Sequence, residues 1–185
     1  MVAGPANALL FLIDTLFALY IIALLLRALL QITHADFYNP VSQFIWRVTR
    51  APVDLLTKLI PRWRNIDLAA LVLVLLLCFA NIELKLWLVQ TAASAPLAAW
   101  WALLKAAALL CNLFTFTILI QALASWLAPT THSPATAVLW SVNEPLLGPV
   151  RRWVPPIGGL DISPLIVIIA LQVVSRLLPL PGLLR

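Results

Sequence analysis

Charged residues are scarce in this sequence. They make up 10% of its 185 residues, while 63% are hydrophobic, whereas soluble domains carry roughly 25% charged and about 45–50% apolar residues. The apolar residues also stand in long runs, which the core of a soluble domain does not need. The composition therefore argues against an ordinary soluble domain and indicates a membrane protein.

Cysteine is nearly absent, and the first residues carry no basic charge. Cys78 and Cys111 each lie inside an apolar run and form no CxxC pair, so we exclude a disulfide framework and interpret both as packing residues. Residues 1–10 contain no Lys or Arg and thus lack the basic region of a secretory signal peptide. We therefore expect the first apolar segment to be retained as a membrane span.

Four apolar segments are candidates to cross a bilayer, for which a helix needs roughly 20 residues. They cover residues 8–30, 66–89, 97–128 and 161–178. The link between the second and the third is short and uncharged, which favours an antiparallel hairpin. The sequence thus predicts an all-α membrane protein with four transmembrane helices.

The net charge of +5 would suggest a nucleic-acid partner in a soluble protein, but the placement of the basic residues indicates membrane orientation instead. Most of them lie in the two longer links, called the connectors below, which separate the first span from the second and the third from the fourth. Positive charge marks cytoplasmic segments, so we expect cytoplasmic connectors, periplasmic termini and no nucleic-acid partner. The connector cations are Arg47, Arg50, Lys58, Arg62, Arg64, Arg151 and Arg152.

The two halves of the chain are similar to each other. A shift of 94 residues places Pro40 on Pro134 and Asp67 on Asp161. We therefore predict two repeats, residues 1–96 and 97–185, each with two spans and one connector. Because each half has an even number of spans, the halves should be related by a pseudo-two-fold axis along the membrane normal.

Each connector has an amphipathic helical pattern that begins after Asn39-Pro40 or Ser133-Pro134, a capping residue followed by a proline suited to the first helical turn. Basic amphipathic helices with flanking tryptophans lie in the membrane interface, so we expect anionic lipid headgroups as partners; a re-entrant connector is the alternative. Pro52 and Pro145 predict a kink that splits each connector into two short helices. The candidate interfacial anchors are Trp46, Trp63, Trp140 and Trp153.

The two repeated aspartates and one arginine are the first candidate functional residues. Asp67 and Asp161 each open an apolar run and are interpreted as helix N-caps, with a paired carboxylate site for a cation as the alternative. Arg27 lies near the cytoplasmic end of its span, where an intramembrane charge is costly. We expect it to pair with Asp67 or Asp161; a substrate-binding role is the alternative.

A second polar group should lie toward the outer face of the membrane. We interpret Asp14, Glu83, Lys85 and Lys105 as ion pairs that fix helix packing, with a polar relay as the alternative.

The sequence carries no recognisable catalytic constellation. His34 and His132 lack the carboxylate or cysteine partners of a metal site, and no nucleotide-binding, zinc-protease or serine-hydrolase motif occurs. We therefore predict no catalytic residue, no metal and no cofactor.

Two segments resemble the YggT family, also called YlmG. Residues 24–49, LLLRALLQITHADFYNPVSQFIWRVT, are similar to its first half. Residues 143–165, NEPLLGPVRRWVPPIGGLDISPL, are similar to its second-half signature. The resemblance adds Arg151, Arg152, Pro155, Gly158 and Gly159 to the candidate residues. The first half departs from the signature, since residues 63–65 are Trp-Arg-Asn where the second half has Ile-Gly-Gly, and Gln121 is the counterpart of Arg27.

The resemblance implies a multi-pass protein of the bacterial inner membrane. Members of the family are associated with tolerance of osmotic or envelope stress, and some bacterial members with cell division. Plastid members are associated with haem attachment and with nucleoid organisation. We therefore predict a non-enzymatic membrane assembly or stress-tolerance factor, with an unknown membrane-protein partner or a homo-oligomer. A small ion or osmolyte transporter and a haem-handling or cytochrome assembly factor are the alternatives.

Overall fold

The computed structural model describes residues 4–60, 66–127, 133–154 and 161–184. All regular elements in these residues are helical, as the composition predicts. They are α1 (Gly4–Ile32), α2 (Pro40–Thr57), α3 (Leu68–Leu88), α4 (Ala95–Leu127), α5 (Pro134–Trp153), α6 (Ser163–Leu177) and a short 3-10 helix (Gly182–Leu184).

Within the described residues, three helices are long and apolar enough to cross a membrane: Asn7–Ile32, Leu68–Leu88 and Ala95–Ser125. They correspond to the first three predicted spans. Large apolar side chains remain uncovered along them, such as Phe11, which is 73% exposed, and Leu19, which is 62% exposed. Because water disfavours such surfaces, the outer faces of these helices suit contact with lipid.

The fourth apolar helix is shorter than predicted. The helix α6 has 15 residues, or about 22 Å at 1.5 Å per residue, and it ends before Pro179, which cannot supply a backbone N–H to continue it. The following residues are partly buried: Leu180 and Leu184 join an apolar cluster formed mainly by α1, α3 and α4.

Within the described residues each connector forms one continuous helix, so the prediction that a proline splits each connector into two short helices is wrong. The helix α2 continues through Pro52, and α5 continues through Pro145 and Pro149. A proline removes one backbone hydrogen bond, but tertiary packing can hold a helix together across that gap. In α2, Val53, which follows Pro52, and Thr49, about one turn before Val53, are both fully buried.

Among the described residues, two helices end in a left-handed turn at a residue other than glycine. His34 and Gln90 adopt left-handed backbone conformations, with φ of 53° and 55°, after α1 and α3. In each case the next residue donates its N–H to a carbonyl five residues earlier, Ala35 to Leu30 and Thr91 to Leu86, both at 2.9 Å. These hydrogen bonds form a Schellman motif, which makes the turn into α2 and the tight turn into α4 well defined.

The helices pack in a consecutive arrangement: α1 against α3, α3 against α4, and α4 against α6. The connector helix α2 packs mainly against α1 and α3, α5 packs mainly against α4 and α6, and the two connector helices contact each other. Asn39 at the start of α2 donates a hydrogen bond from Nδ2 to the carbonyl oxygen of Pro134 at the start of α5, at 2.7 Å. The connectors are thus held side by side.

Candidate functional site

Arg27 pairs with Asp67 in the interior of the protein. Its Nε and Nη2 donate to Asp67 Oδ2 at 3.1 and 2.9 Å, and its Nη1 donates to Thr49 Oγ1 at 3.2 Å. The guanidinium carbon lies 3.8 Å from the centroid of the Trp46 ring, close enough for a cation–π interaction. Arg27 and Thr49 are fully buried, and Asp67 is 1% exposed.

The local sequence explains how these groups meet. Asp67 is the N-cap of α3, as predicted, and its Oδ1 accepts the Ala70 N–H at 3.2 Å. Thr49 donates to the carbonyl oxygen of Ile45 at 2.7 Å, which orients its hydroxyl oxygen as an acceptor for Arg27. Every group in the cluster therefore has a partner, which is the condition for tolerating a buried ion pair.

The second repeated aspartate binds a different arginine. Arg151 of α5 donates from Nε to Asp161 Oδ2 at 2.8 Å and from Nη1 to Glu144 Oε2 at 3.0 Å. The Arg151 guanidinium lies 5.0 Å from the centroid of the Trp140 ring. At the 94-residue offset, Trp140 is the counterpart of Trp46. Each half therefore places an arginine between a tryptophan and an aspartate, but the arginine comes from α1 in one half and from α5 in the other.

Asp161 is not the N-cap of α6, contrary to the prediction. Ile162 holds that position, and Asp161 Oδ1 accepts the N–H of Ser163 at 2.9 Å. Burial raises the pKa of the Asp161 carboxyl, but the hydrogen bonds from Arg151 and Ser163 outweigh it, so the pKa is lowered overall. The carboxylate thus accepts the N–H of the first helical residue, Ser163, and the second, Pro164, has no N–H.

Gln121, the counterpart of Arg27, belongs to a neutral hydrogen-bonded chain. Asn143 Nδ2 donates to Gln121 Oε1 at 2.8 Å, and Thr117 Oγ1 donates to Asn143 Oδ1 at 2.7 Å. Asn143 is the counterpart of Thr49 at the 94-residue offset. Thus a side-chain contact between the first helix and the connector helix is present in both halves. In the second half this contact is made by the neutral Gln121 instead of a charged arginine. Within the part of the chain that the structure describes, Gln121 Nε2 is buried and has no hydrogen-bond partner.

A cavity of about 350 Å³ lies beside this chain, between α4, α5 and α6. Its polar lining comes from Gln121, Ser125, Arg151 and Asp161, and one apolar wall is the ring of Trp140. The cavity borders the Arg151–Asp161 pair and part of the Gln121 side chain.

A second ionic cluster joins α1, α3 and α4. Asp14 accepts from Lys85 Nζ at 2.5 Å and from Lys105 Nζ at 3.0 Å, and Lys105 also donates to Asn81 Oδ1 at 2.5 Å. Both lysines are almost fully buried. The pairing agrees with the prediction for Asp14, Lys85 and Lys105; the described contacts place Glu83 outside it. The cluster lies about 20 Å from Arg27 along α1.

The exposed side of α2 combines apolar and basic residues. Phe44 is 62% exposed, Val48 42% and Leu55 64%, while the Arg50 side chain is 75% exposed and pairs with Asp54 at 3.0 Å. We call the group Phe44, Arg47, Val48, Arg50 and Leu55 the connector surface. The residues of α2 that pack inward are different ones: Ser42, Ile45, Thr49 and Val53.

Several predicted residues lie outside the described part of the chain, namely Arg62, Trp63, Arg64, His132, Pro155, Gly158 and Gly159. Arg152 is exposed at the end of α5 and lies near Glu144 in a surface groove. Within the described residues, no three His, Cys, Asp or Glu side chains converge as a metal site requires.

Sequence reasoning missed Thr49 and Asn143, and it treated Trp46 and Trp140 only as interfacial anchors. The signal was present: both pairs stand 94 residues apart, at the offset of the repeated aspartates. The sequence did not show that these side chains point toward Arg27 and Arg151.

Long apolar helices with uncovered outer faces, tied together by buried ion pairs, are features of a helical membrane protein. The chain belongs to the CCB3/YggT family, whose model matches residues 6–88 and again residues 100–182. The two matches are offset by 94 residues, the difference between 6 and 100.

The relatives cover nearly the whole chain. An uncharacterised protein of Vibrio alginolyticus is 39% identical over 178 residues, which are 93% of this chain and 94% of the relative. An uncharacterised protein of Pseudomonas aeruginosa is 36% identical over 176 residues, 94% and 89% of the two chains. The uncharacterised protein YggT of Escherichia coli K12 is 37% identical over 169 residues, 91% and 88%. No solved structure matches the chain significantly.

Proposed function

We propose that this protein is a non-enzymatic assembly or osmotic and envelope-stress tolerance factor of the bacterial inner membrane, and that it recruits a partner through the connector surface. The observation that supports this most is the uncovered mixture of Phe44, Val48 and Leu55 with Arg47 and Arg50 on α2. A helix face with both apolar and basic side chains suits the boundary between lipid tails and anionic headgroups. The same face is available to a membrane-protein partner or to a second copy of the chain.

The proposed topology has four spans, with both connectors in the cytoplasm and both termini in the periplasm. Seven of the 12 Lys and Arg residues lie in the connectors, in keeping with the positive-inside bias. As the fourth span, α6 is short for a hydrocarbon core of about 30 Å. The residues after α6 or local thinning of the bilayer would cover the remaining distance.

Site-specific photocrosslinking in cells tests this proposal. A crosslinking amino acid at Phe44 or Val48 should give discrete protein adducts, because these positions face outward beside the connector charges. Leu16, which is 59% exposed on α1, is the matched control, since it is equally apolar but far from the connector surface. A single adduct of twice the chain mass would identify a homo-oligomer.

A small ion transporter is the second candidate, favoured by the ionic cluster of Asp14, Lys85 and Lys105. This cluster holds two cations and one carboxylate within the apolar helices, an arrangement typical of functional intramembrane charges. Selective ion flux into liposomes that contain only this protein, abolished by Asp14→Asn, would support transport. That result, together with no discrete adduct from the connector surface, would contradict the assembly-factor proposal.

A further inference from the structure

Three polar side chains lie together on the outer surface of α4 and α6. Asn112 is exposed in the middle of α4, about 26 Å along the helix from Ala95 and about 20 Å from Ser125, the ends of this apolar span. Gln172 is exposed on α6, and its Nε2 donates to Oγ1 of Thr115 on α4 at 3.4 Å. Residues three apart are neighbours on a helix surface, so Thr115 lies beside Asn112. We call Asn112, Thr115 and Gln172 the amide patch.

The amide patch has hydrogen-bonding groups that lipid tails cannot satisfy. Among the described residues, no group bonds the Asn112 amide and none donates to Gln172 Oε1. Thr115 already gives its hydroxyl proton to the carbonyl oxygen of Cys111, at 2.9 Å. An amide has two N–H donors and a carbonyl acceptor, and leaving these unpaired in hydrocarbon is costly. At the middle of α4, a side chain as short as that of asparagine does not reach the water at either end.

The corresponding face of the first half is covered by another helix. At the 94-residue offset, the counterparts of Thr115 and Gln172 are Ile21 and Cys78. Both counterparts are fully buried and belong to an apolar cluster that includes Ala102 of α4. The face between α1 and α3 therefore packs against a third helix and is apolar. The equivalent face between α4 and α6 carries amides instead, and the side chains of Asn112 and Gln172 on it are exposed.

We propose that the amide patch is the interface between two copies of this chain in the membrane, joined by hydrogen bonds between their amides. The proposal rests on the proposed membrane topology but not on recruitment through the connector surface. Because an amide both donates and accepts, two identical patches satisfy each other across a two-fold axis. Two copies with the same orientation in the membrane also place their patches at the same depth.

The surroundings of the amide patch suit contact with another helix. Phe116, one turn after Asn112 on α4, is 63% exposed, and Ile169 and Val173 on α6 are 55% and 52% exposed. Between helices in lipid, apolar side chains contribute packing but no hydrophobic driving force, whereas amides hydrogen-bond across the interface. The amides therefore specify which faces meet, and the neighbouring apolar side chains supply the contact area.

The pairing constant in liposomes that contain only this protein tests the proposal. It is measured by energy transfer between singly labelled chains as the ratio of protein to lipid is lowered. Asn112→Leu and Gln172→Leu replace an amide by an apolar group of similar size, and each should weaken pairing about tenfold through lost interhelical hydrogen bonds. Asn112→Gln keeps an amide and should pair more tightly than Asn112→Leu. Asn112→Leu should not lower the thermal stability of the monomer, since the amide bonds no described group of its own chain.

Photocrosslinking locates the interface independently. A crosslinking amino acid at Phe116 should give an adduct of twice the chain mass in cells, whereas Leu16, which is 59% exposed on α1, should not. An adduct of any other mass at Phe116 would place a different protein on the amide patch and overturn the proposal.

Two outcomes in the liposomes would also overturn the proposal: a wild-type chain that is monomeric at every ratio, or unchanged pairing in the Asn112→Leu/Gln172→Leu double variant. The Arg47→Gln/Arg50→Gln double variant is the matched control, because it alters the connector surface and leaves the amide patch intact. It should pair as the wild type does. Since the liposomes contain no other protein, a failure to pair leaves recruitment of a different protein by the connector surface untouched.

Discussion

Replacing Arg27 by alanine would leave the Asp67 carboxylate buried without its counter-ion. The substitution removes two hydrogen bonds to Asp67, one to Thr49 and the stacking on Trp46. Asp67 is only 1% exposed, so its carboxylate depends on the guanidinium for a counter-charge. Breaking a buried pair in this way costs about 3–5 kcal/mol, and we expect Arg27→Ala to lower the free energy of unfolding by that amount.

A double-mutant cycle separates the ion pair from the other contacts of Arg27. Asp67→Asn should also be destabilising, since the N-cap remains but the charge of Arg27 is unpaired. In the double variant Arg27→Ala/Asp67→Asn, neither charge is left buried, so part of the loss should be recovered. We expect a coupling energy of about 1–3 kcal/mol. Arg27→Lys should fall between wild type and alanine, because an ammonium keeps the charge but not the planar fork.

The assay is denaturant or thermal unfolding of the purified chain in detergent, with Arg50→Ala as the matched control. The Arg50 and Asp54 side chains are 75% and 43% exposed, and such a pair contributes at most about 1 kcal/mol. If Arg27→Ala cost no more than Arg50→Ala, the structural role assigned to the buried pair would be refuted. If stability were unchanged but tolerance of osmotic stress were lost, Arg27 would instead be a functional residue.

Three further predictions address topology, the connector surface and Asp161. In intact spheroplasts, Ser94→Cys should be labelled by an impermeant thiol reagent and Ser133→Cys should be protected; the reverse pattern would invert the proposed orientation. Phe44→Asp should reduce membrane-extracted folded yield far more than Gln43→Asp, since an apolar side chain moved out of water contributes roughly 1.5–3 kcal/mol; equal yields would exclude an interfacial role for Phe44. Because the pKa of Asp161 is lowered, its charge stabilises the fold at every pH above the ordinary carboxyl pKa of about 3.9, and this contribution is lost as the pH falls through the lower pKa of the folded state. The difference in melting temperature between wild type and Asp161→Asn should therefore be constant from pH 5 to 7. A difference that vanished between pH 5 and 7 would contradict the assignment.

The sequence was sufficient to predict three long apolar helices and to limit the partner of Arg27 to one of the two repeated aspartates. The length of the apolar runs was enough to locate α1, α3 and α4, because a run of roughly 20 apolar residues is the main requirement for a membrane-spanning helix. Asp67 could be assigned as an N-cap because its position before an apolar run matches a general rule.

The arrangement of the second half could not be predicted by repeat symmetry. Asp161 suggested an equivalent of the first pair, but its partner is Arg151, whose counterpart in the first half, Thr57, is not an arginine. The reach of a long flexible side chain from a different helix leaves no periodic signal. The unbroken helices through Pro52 and Pro145 were missed for a related reason, since their continuity depends on tertiary packing rather than on local preference.

The two ionic clusters on α1 also restrict how that helix can change during evolution. Asp14 contacts Lys85 and Lys105, and Arg27 contacts Asp67. Ion pairs therefore hold α1 against its neighbours at two positions along its length. Inserting or deleting a single residue between them would turn one cluster relative to the other by about 100° and shift it by about 1.5 Å, which no rotamer change can absorb. The length of α1 between Asp14 and Arg27 is therefore fixed as firmly as the identity of either charge, and changes in helix length must fall outside this interval.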